Sequence, residues 1–275
     1  MSRTMIFSGG GPWTLDDARE DGIVFSAQAQ NTEQNDIIFS VSGSSMYLVG
    51  VDVVNGVEVN QYNLSTPFDP STAAFSQAVS VSAQARDPEG VDFRTNGLKM
   101  FVTSRGAGVG PSAQSVFEYA MTSAWSVSTA SFTTSVGVTA NAPLPESARF
   151  KPDGTKMFVL STDSEPGEVV EYSLSSAWSV STASFVQSFS LPSQTTNRDG
   201  LVLGNNGKTM FVCGTDGATK KFVHEFNLTS AWDISTANFK QEFVLAGPAS
   251  QGIAANNDGT KLFYLFNNNV RQLSL

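Results

Sequence analysis

A repeat of about 53 residues is the feature that most constrains the fold of this chain. Three near-identical stretches surround a tryptophan: AWSVSTASF at Trp125, AWSVSTASF at Trp178 and AWDISTANF at Trp232, spaced 53 and 54 residues apart. A unit of this length matches one four-stranded blade of a β-propeller. No segment shows helical periodicity, so the repeat predicts an all-β ring of blades.

The rest of each unit recurs in a fixed order. A Gly-containing turn such as Asp153-Gly154 precedes a strand such as KMFV, and a third strand such as VVEY follows. Asn-Gly and Asp-Gly between apolar runs are strong hairpin signals. A weaker upstream copy carries Phe68 in place of the tryptophan. The chain thus contains four complete units and a fifth that stops at Leu275, after its third strand.

The missing fourth strand of the last unit is present at the other end of the sequence. The segment WTLDDAREDGIVFSAQAQ from Trp13 resembles FDPSTAAFSQAVSVSAQA from Phe68. We therefore predict one domain, 1–275: a five-bladed β-propeller of four-stranded blades whose last blade is closed by the N-terminal strand. Blades one to four should span about 35–85, 86–141, 142–196 and 197–250, and blade five 251–275 plus 13–30. An open five-repeat solenoid is the alternative, but it does not explain the split unit.

Composition excludes several partners. The net charge of -9 disfavours nucleic acid, which normally meets a basic surface. No window approaches the roughly 18 apolar residues of a membrane span, and the opening residues lack the pattern of a Sec signal. A single cysteine, Cys213, rules out an intramolecular disulfide and a thiolate-rich zinc site. We expect no membrane insertion and no cofactor.

The unit DGTKMFV followed by EYSLSSAWSVSTASF resembles a repeat found in proteins of marine bacteriophages and some aquatic bacteria. The resemblance extends from about Trp13 to Leu275. Such proteins are often virion or tail-associated components, or adhesins. The resemblance implies a non-enzymatic, carbohydrate-binding structural or host attachment protein, located on a virion or outside the cell. Its expected partners are a host-surface glycan, a protein receptor or other virion proteins.

The loops between the second and third strands differ strongly in length and charge from blade to blade. Variable loops on a constant scaffold commonly form binding sites. The candidate residues on this variable rim are Arg105, Asp163, Glu165, Asp216, Lys220 and Lys221. The alternative is that they are solvated loop residues without a ligand.

The innermost strands should open onto the same face, around the mouth of the central channel. Aligned units place five polar residues there: Glu89, Glu146, Asp199, Gln251 and Asn35. Converging carboxylates repel one another unless a cation, water or a basic group such as Arg198 compensates. We predict a cation or polyol site; a hydrated channel lining is the alternative.

Two further functions stay open at this stage. Paired carboxylates about 5–9.5 Å apart suit glycoside hydrolysis, although repeat symmetry alone accounts for this trio. The chain could also be a purely structural assembly module. We interpret the repeated tryptophans as packing between blades. Glutamates of the third strand, Glu118, Glu171 and Glu225, are expected to face solvent because strand side chains alternate.

Overall fold

The computed structural model describes residues 12–30, 32–52, 56–106, 114–162, 167–192, 197–215, 220–246 and 251–275. It confirms an all-β fold of five four-stranded antiparallel sheets. The innermost strand of each sheet contacts the innermost strands of the two neighbouring sheets, which closes the ring of a five-bladed propeller. Among these residues, no helix has the length and apolar character that crossing a membrane requires.

The blades contain twenty strands. Blade one consists of β2 (Glu33–Phe39), β3 (Ser45–Asp52), β4 (Gly56–Leu64) and β5 (Ala73–Ser80). Blade two consists of β6 (Pro88–Phe93), β7 (Lys99–Ser104), β8 (Ser115–Met121) and β9 (Ala130–Gly137). Blade three consists of β10 (Pro145–Phe150), β11 (Lys156–Ser161), β12 (Glu168–Leu174) and β13 (Ala183–Ser190).

Blade four consists of β14 (Asn197–Gly204), β15 (Thr209–Thr215), β16 (Lys221–Leu228) and β17 (Ala237–Leu245). Blade five combines β18 (Gln251–Ala255), β19 (Lys261–Phe266), β20 (Asn269–Ser274) and, from the other end of the sequence, β1 (Arg19–Ser26). Single 3₁₀ turns occupy Pro70–Thr72, Val127–Thr129, Val180–Thr182, Asn205–Gly207 and Ile234–Thr236.

The N-terminal strand closes the ring as the split repeat predicts. β1 pairs antiparallel with β20, with Phe25 opposite Val270. Ahead of the strand, the Trp13 amide donates to the Gly259 carbonyl at 2.7 Å. The Leu15 amide donates to the buried Glu225 carboxylate of blade four at 2.8 Å. The N-terminal segment therefore completes blade five and also connects it to blade four through this hydrogen bond.

The repeated tryptophans pack between blades, in agreement with the interpretation from the sequence. Trp178 has a left-handed backbone with φ of 62°, which folds its indole over Gly154 of the hairpin turn. The indole stacks on Phe101 of blade two and Phe150 of blade three, at centroid distances of 6.1 and 5.6 Å. In blade one Phe68 lies over Gly43 in the same manner. Aromatic packing offsets the local backbone strain at each of these positions.

The third-strand glutamates do not face solvent, so that expectation is wrong. All three are at most 2% exposed: Glu118, Glu171 and Glu225. Lys99 lies 2.5 Å from Glu118 and also donates to the Trp178 carbonyl of the next blade at 2.7 Å. The second oxygen of Glu118 accepts the Val180 amide at 3.1 Å. Alternation fails here because the neighbouring blade covers this face of the strand, and a lysine on the second strand of the same blade pairs with the buried carboxylate of Glu118.

Candidate functional site

The five residues that the aligned repeats place at the channel mouth do converge in the structure. They line one cavity of about 200 Å³ together with Glu33, Val51, Asp87 and Arg105. We call this cavity the channel mouth. It lies where the innermost strands of all five blades begin. Its location depends on the fold alone, because equivalent positions in a closed ring of repeats necessarily meet at its axis.

A β-bulge at the start of each innermost strand aims these side chains inward. In blades one to four the register shifts across one unpaired residue, which is Asn35, Glu89, Glu146 or Asp199. In blade five the shift falls on Gly252 instead, next to Gln251. A bulge inserts an extra residue and bends the strand, and so re-aims a side chain that regular pairing would direct elsewhere.

Arg105 joins two of these carboxyl groups. The sequence predicts it at the variable rim, but its half-buried side chain extends into the channel mouth. Its Nη2 donates to Glu146 Oε2, and its Nε lies 3.5 Å from Glu89 Oε1, without hydrogen-bond geometry. Thr162 Oγ1 donates to the other oxygen of Glu146 at 2.6 Å. Glu146 therefore has two donors that favour its ionised form, whereas Glu89 has only the ion-pair contact.

Burial raises the pKa of both glutamates, and their neighbours differ. Burial, then the neighbouring Glu146, raise the pKa of Glu89 to about 9, against the opposing effect of Arg105. Burial also raises the pKa of Glu146, but Arg105 and the Thr162 hydroxyl oppose that rise. At neutral pH Glu89 is a neutral acid and a proton donor. The Arg105 guanidinium and the Thr162 hydroxyl both donate to Glu146 and favour its ionised form, which suits it to accept a proton.

The channel mouth is strongly acidic. Its described lining contains five carboxyl groups, Glu33, Asp87, Glu89, Glu146 and Asp199, and one cationic side chain, Arg105. Such a surface disfavours anionic ligands. Within the described ranges, no three His, Cys, Asp or Glu side chains are grouped so that they could hold a metal ion.

Of the remaining rim candidates, the structure describes two, Lys220 and Lys221, and neither lines the channel mouth. Lys220 lies 2.5 Å from Glu242 of the outermost strand of blade four. Lys221 is the first residue of β16, and its side chain is only 8% exposed. Asp163, Glu165 and Asp216 lie outside the described residues, as does the side chain of Arg198.

The channel is filled by a side chain that was not among the residues predicted from the sequence. Arg149 of β10 is buried, and its guanidinium donates to the Val91 and Leu201 carbonyls, each at 2.9 Å, and to the Ile253 carbonyl at 3.2 Å. It also donates to Asp36 at 2.8 Å. One side chain of blade three therefore binds the innermost strands of the other four blades. A signal existed: the equivalent repeat positions hold Ile38, Asp92, Val202 and Ala254.

No family model matches the chain, and no curated protein matches its sequence. Solved structures do match. A Bacteroides fragilis protein described provisionally as a 6-phosphogluconolactonase is 11% identical, with a TM-score of 0.52 over 84% of this chain and 76% of that one. A Bacteroides uniformis protein with the same provisional description is 14% identical, with a TM-score of 0.51 over 82% of this chain. This chain spans only 61% of its length.

A third similar structure is the β-propeller domain of Cps50 (Swd1) from Myceliophteria thermophila. It is 8% identical, with a TM-score of 0.51 over 90% of this chain and 97% of that domain. At these identities the three likenesses show a shared propeller fold. Two of the three proteins are described as lactonases, and none of the three as a phage, virion or attachment protein. This finding overturns the prediction of a non-enzymatic phage attachment protein.

Proposed function

We propose that this chain is a hydrolase that opens a small, uncharged, polyhydroxylated lactone at the channel mouth. The observation that carries the proposal is the arrangement of Glu89 and Glu146 on either side of Arg105, with hydrogen-bond donors on Glu146 and a raised pKa at Glu89. The 6-phosphogluconolactonase description of two similar propellers supports this reaction class. An acid, a base and a fixed cation can each assist hydrolysis of a cyclic ester.

Each group has a distinct role in the proposed reaction. The Glu146 carboxylate removes a proton from a water molecule, which attacks the lactone carbonyl carbon. Arg105 stabilises the negative charge that develops on the carbonyl oxygen. The carbonyl carbon then releases the ring oxygen, and the Glu89 carboxyl group protonates it. The product is the open-chain hydroxy acid, and proton exchange with solvent restores both glutamates.

The charge of the channel mouth favours a substrate without a phosphate group. A phosphate ester would bring negative charge beside five carboxyl groups and a single described arginine. A neutral lactone avoids this repulsion, and its hydroxyl groups can bond to carboxylate and amide side chains such as those of Asn35 and Gln251. The carboxylate product would then be repelled from the site, which assists its release.

The test is hydrolysis of D-glucono-δ-lactone, followed by proton release at mildly acidic pH and corrected for the uncatalysed rate. The wild-type chain should accelerate the reaction, and Glu146→Gln should lower kcat/KM by about a hundredfold or more, a typical contribution of general base catalysis. The 6-phosphorylated lactone should be the poorer substrate. A wild-type rate equal to the uncatalysed rate for both lactones would overturn the proposal.

A matched control separates chemistry from general effects of charge removal. Glu168→Gln makes the same chemical change at a half-buried position on the third strand of blade three, outside the channel mouth. It should leave kcat/KM unchanged. Equal losses in Glu146→Gln and Glu168→Gln would contradict the assignment of Glu146 as the base.

A further inference from the structure

A second cavity lies at the opposite end of the channel, where the innermost strands end. Its volume is about 300 Å³, and we call it the tryptophan-side cavity. Its walls include the indoles of Trp13 and Trp232, and its floor includes Arg149 and Asp92. The side chain of Arg149 therefore separates it from the channel mouth, since the guanidinium spans the channel between the two cavities.

The cavity exists because two blades lack an aromatic ring that other blades have. In blades two and three the innermost strand ends in a phenylalanine, Phe93 or Phe150, and each lies 5.6 Å from its blade's tryptophan. The equivalent residues in blades four and five are Leu203 and Ala255, both of which line the cavity. In blades two and three a phenylalanine ring therefore lies beside the indole. In blades four and five the corresponding space beside Trp232 and Trp13 is open and forms part of the cavity.

Trp13 is accommodated by a further departure from the repeat. At Gly204, a Cβ atom would lie 1.8 Å from Trp13 Cζ3, so only glycine admits the indole there. The equivalent positions in blades two and three hold Arg94 and Lys151. Replacement of these long cations by glycine brings an aromatic side chain to the rim and removes positive charge from it.

Amide side chains supply the polar part of the lining. Four asparagines contribute to it: Asn205, Asn206, Asn256 and Asn257. Asn205 and Asn206 have left-handed backbones, with φ of 52° and 53°. Two of these amides also bond within the protein: Asn256 Oδ1 accepts from the Lys261 amide at 2.9 Å and its Nδ2 donates to Thr260 Oγ1 at 3.0 Å, and Asn257 Nδ2 donates to the Val41 carbonyl. The charged groups of the floor, Arg149 and Asp92, are committed to protein partners. The accessible lining is therefore aromatic and neutral.

We propose that the tryptophan-side cavity binds an uncharged sugar ring of the pyranose type. Half-buried indoles offer apolar faces to the C–H face of such a ring, and amides both donate to and accept from its hydroxyl groups. The volume falls at the lower end of the range for small-ligand pockets, about 300–1,000 Å³. This site is separate from the channel mouth and does not depend on the proposed hydrolase activity.

The experiment is a titration of the chain with D-glucose, D-galactose and N-acetyl-D-glucosamine, followed by tryptophan fluorescence and by saturation-transfer NMR. At least one sugar should bind saturably to the wild type. Ala255→Phe and Leu203→Phe restore the ring found in blades two and three and fill the cavity. Each should weaken binding by about tenfold or more, equivalent to about 1.4 kcal/mol. The absence of saturable binding for all three sugars would overturn the proposal.

A pair of matched variants distinguishes a local loss of sugar binding from a general effect on folding. Asn206→Asp introduces the residue that blades three and five carry at this turn position, Asp153 and Asp258, and should weaken sugar binding. Asn96→Asp makes the same change in blade two, away from the cavity, and should not. Glu146→Gln should leave sugar affinity intact. Sugar binding that is lost in Glu146→Gln but retained in Ala255→Phe would place the ligand at the channel mouth and overturn the proposal.

Discussion

The guanidinium of Arg149 in blade three and the carboxylate of Asp36 in blade one lie 2.8 Å apart across the channel. Both side chains are buried, at 7% and 0% exposed. Burial of two charges costs several kcal/mol per ion unless pairing and hydrogen bonds compensate. Here three carbonyls from three further blades accept from the same guanidinium, and the Val91 amide donates to Asp36 at 3.0 Å. Through these bonds the pair connects the innermost strands of all five blades at the centre of the ring.

Removal of the arginine alone should be severe. Arg149→Met leaves Asp36 buried without its counter-ion, and we expect the free energy of unfolding in urea to fall by about 3–5 kcal/mol. The double variant Arg149→Met with Asp36→Asn should recover part of that loss, because no uncompensated charge remains. Strictly additive losses in the double-mutant cycle would contradict a direct coupling between these two residues.

Closure of blade five by the N-terminal strand gives a second prediction. Deletion of residues 1–30 removes β1 and Trp13, exposes the edge of β20, and should lower the unfolding midpoint and promote aggregation. Light scattering and thermal unfolding measure both effects. Deletion of residues 1–11 leaves every described residue in place and is the control. A longer deletion that stays monomeric and as stable as the control would show that β1 does not protect the edge.

The sequence predicts the fold and the composition of the channel mouth for one physical reason: repeats in a ring place equivalent residues around one axis. Thus Glu89, Glu146 and Asp199 could be grouped without knowledge of any side-chain contact. The same reasoning did not single out Arg149, because the alignment shows only that one blade has an arginine where the other four do not, and not which groups it contacts. Its role depends on reach across the axis to Asp36, a contact between residues 113 positions apart.

The sequence also did not predict the direction in which two side chains of the repeat point. Strand alternation predicts that Glu118 faces solvent, but in the ring the next blade covers that face and supplies the Val180 amide. Arg105 stands at the start of a variable loop, directly after β7, yet extends inward to Glu146. Both errors arise because the repeat pattern treats each blade separately, whereas each of these residues has a partner in the adjacent blade.

The proposed acid and base give a third prediction, for the pH dependence of lactone hydrolysis. Glu89 must carry its proton to serve as the acid, so kcat/KM should fall as pH rises through about 9. It should also fall at low pH, where Glu146 becomes protonated. In Glu89→Gln the alkaline limb of the profile should disappear along with most of the activity. An unchanged alkaline limb in that variant would exclude Glu89 as the acid.

Asp92 gives a fourth prediction, on stability. Burial raises its pKa from 3.8 to about 6, although Arg149 and two backbone amides oppose the rise. The folded state therefore holds this proton more tightly than the unfolded state, and the contribution of Asp92 to stability is greatest below pH 3.8. As pH rises from 3.8 to about 6 this contribution declines, at about 1.4 kcal/mol per pKa unit. Asp92→Asn should remove this decline. The amount by which the variant's free energy of unfolding falls below that of the wild type should therefore become smaller from pH 3.8 to about 6. A deficit that is constant across the window would show that Asp92 has an ordinary pKa.

The contact between Gly154 and Trp178 gives the last prediction, and a second glycine isolates its cause. Gly154 has φ of 75°, and a Cβ there would lie 2.2 Å from Trp178 Cδ1. Gly22 in β1 has φ of 73°, but a Cβ there would meet nothing within 4 Å.

Alanine at either position carries the same left-handed strain, about 1–2 kcal/mol. Only Gly154→Ala also displaces the indole from its place between Phe101 and Phe150, which should add about 1–3 kcal/mol, the usual cost of overpacking. The difference in unfolding free energy between the two variants therefore measures the tryptophan contact itself. Equal losses would mean that the left-handed turn, and not the indole above it, is the reason for glycine in the hairpin.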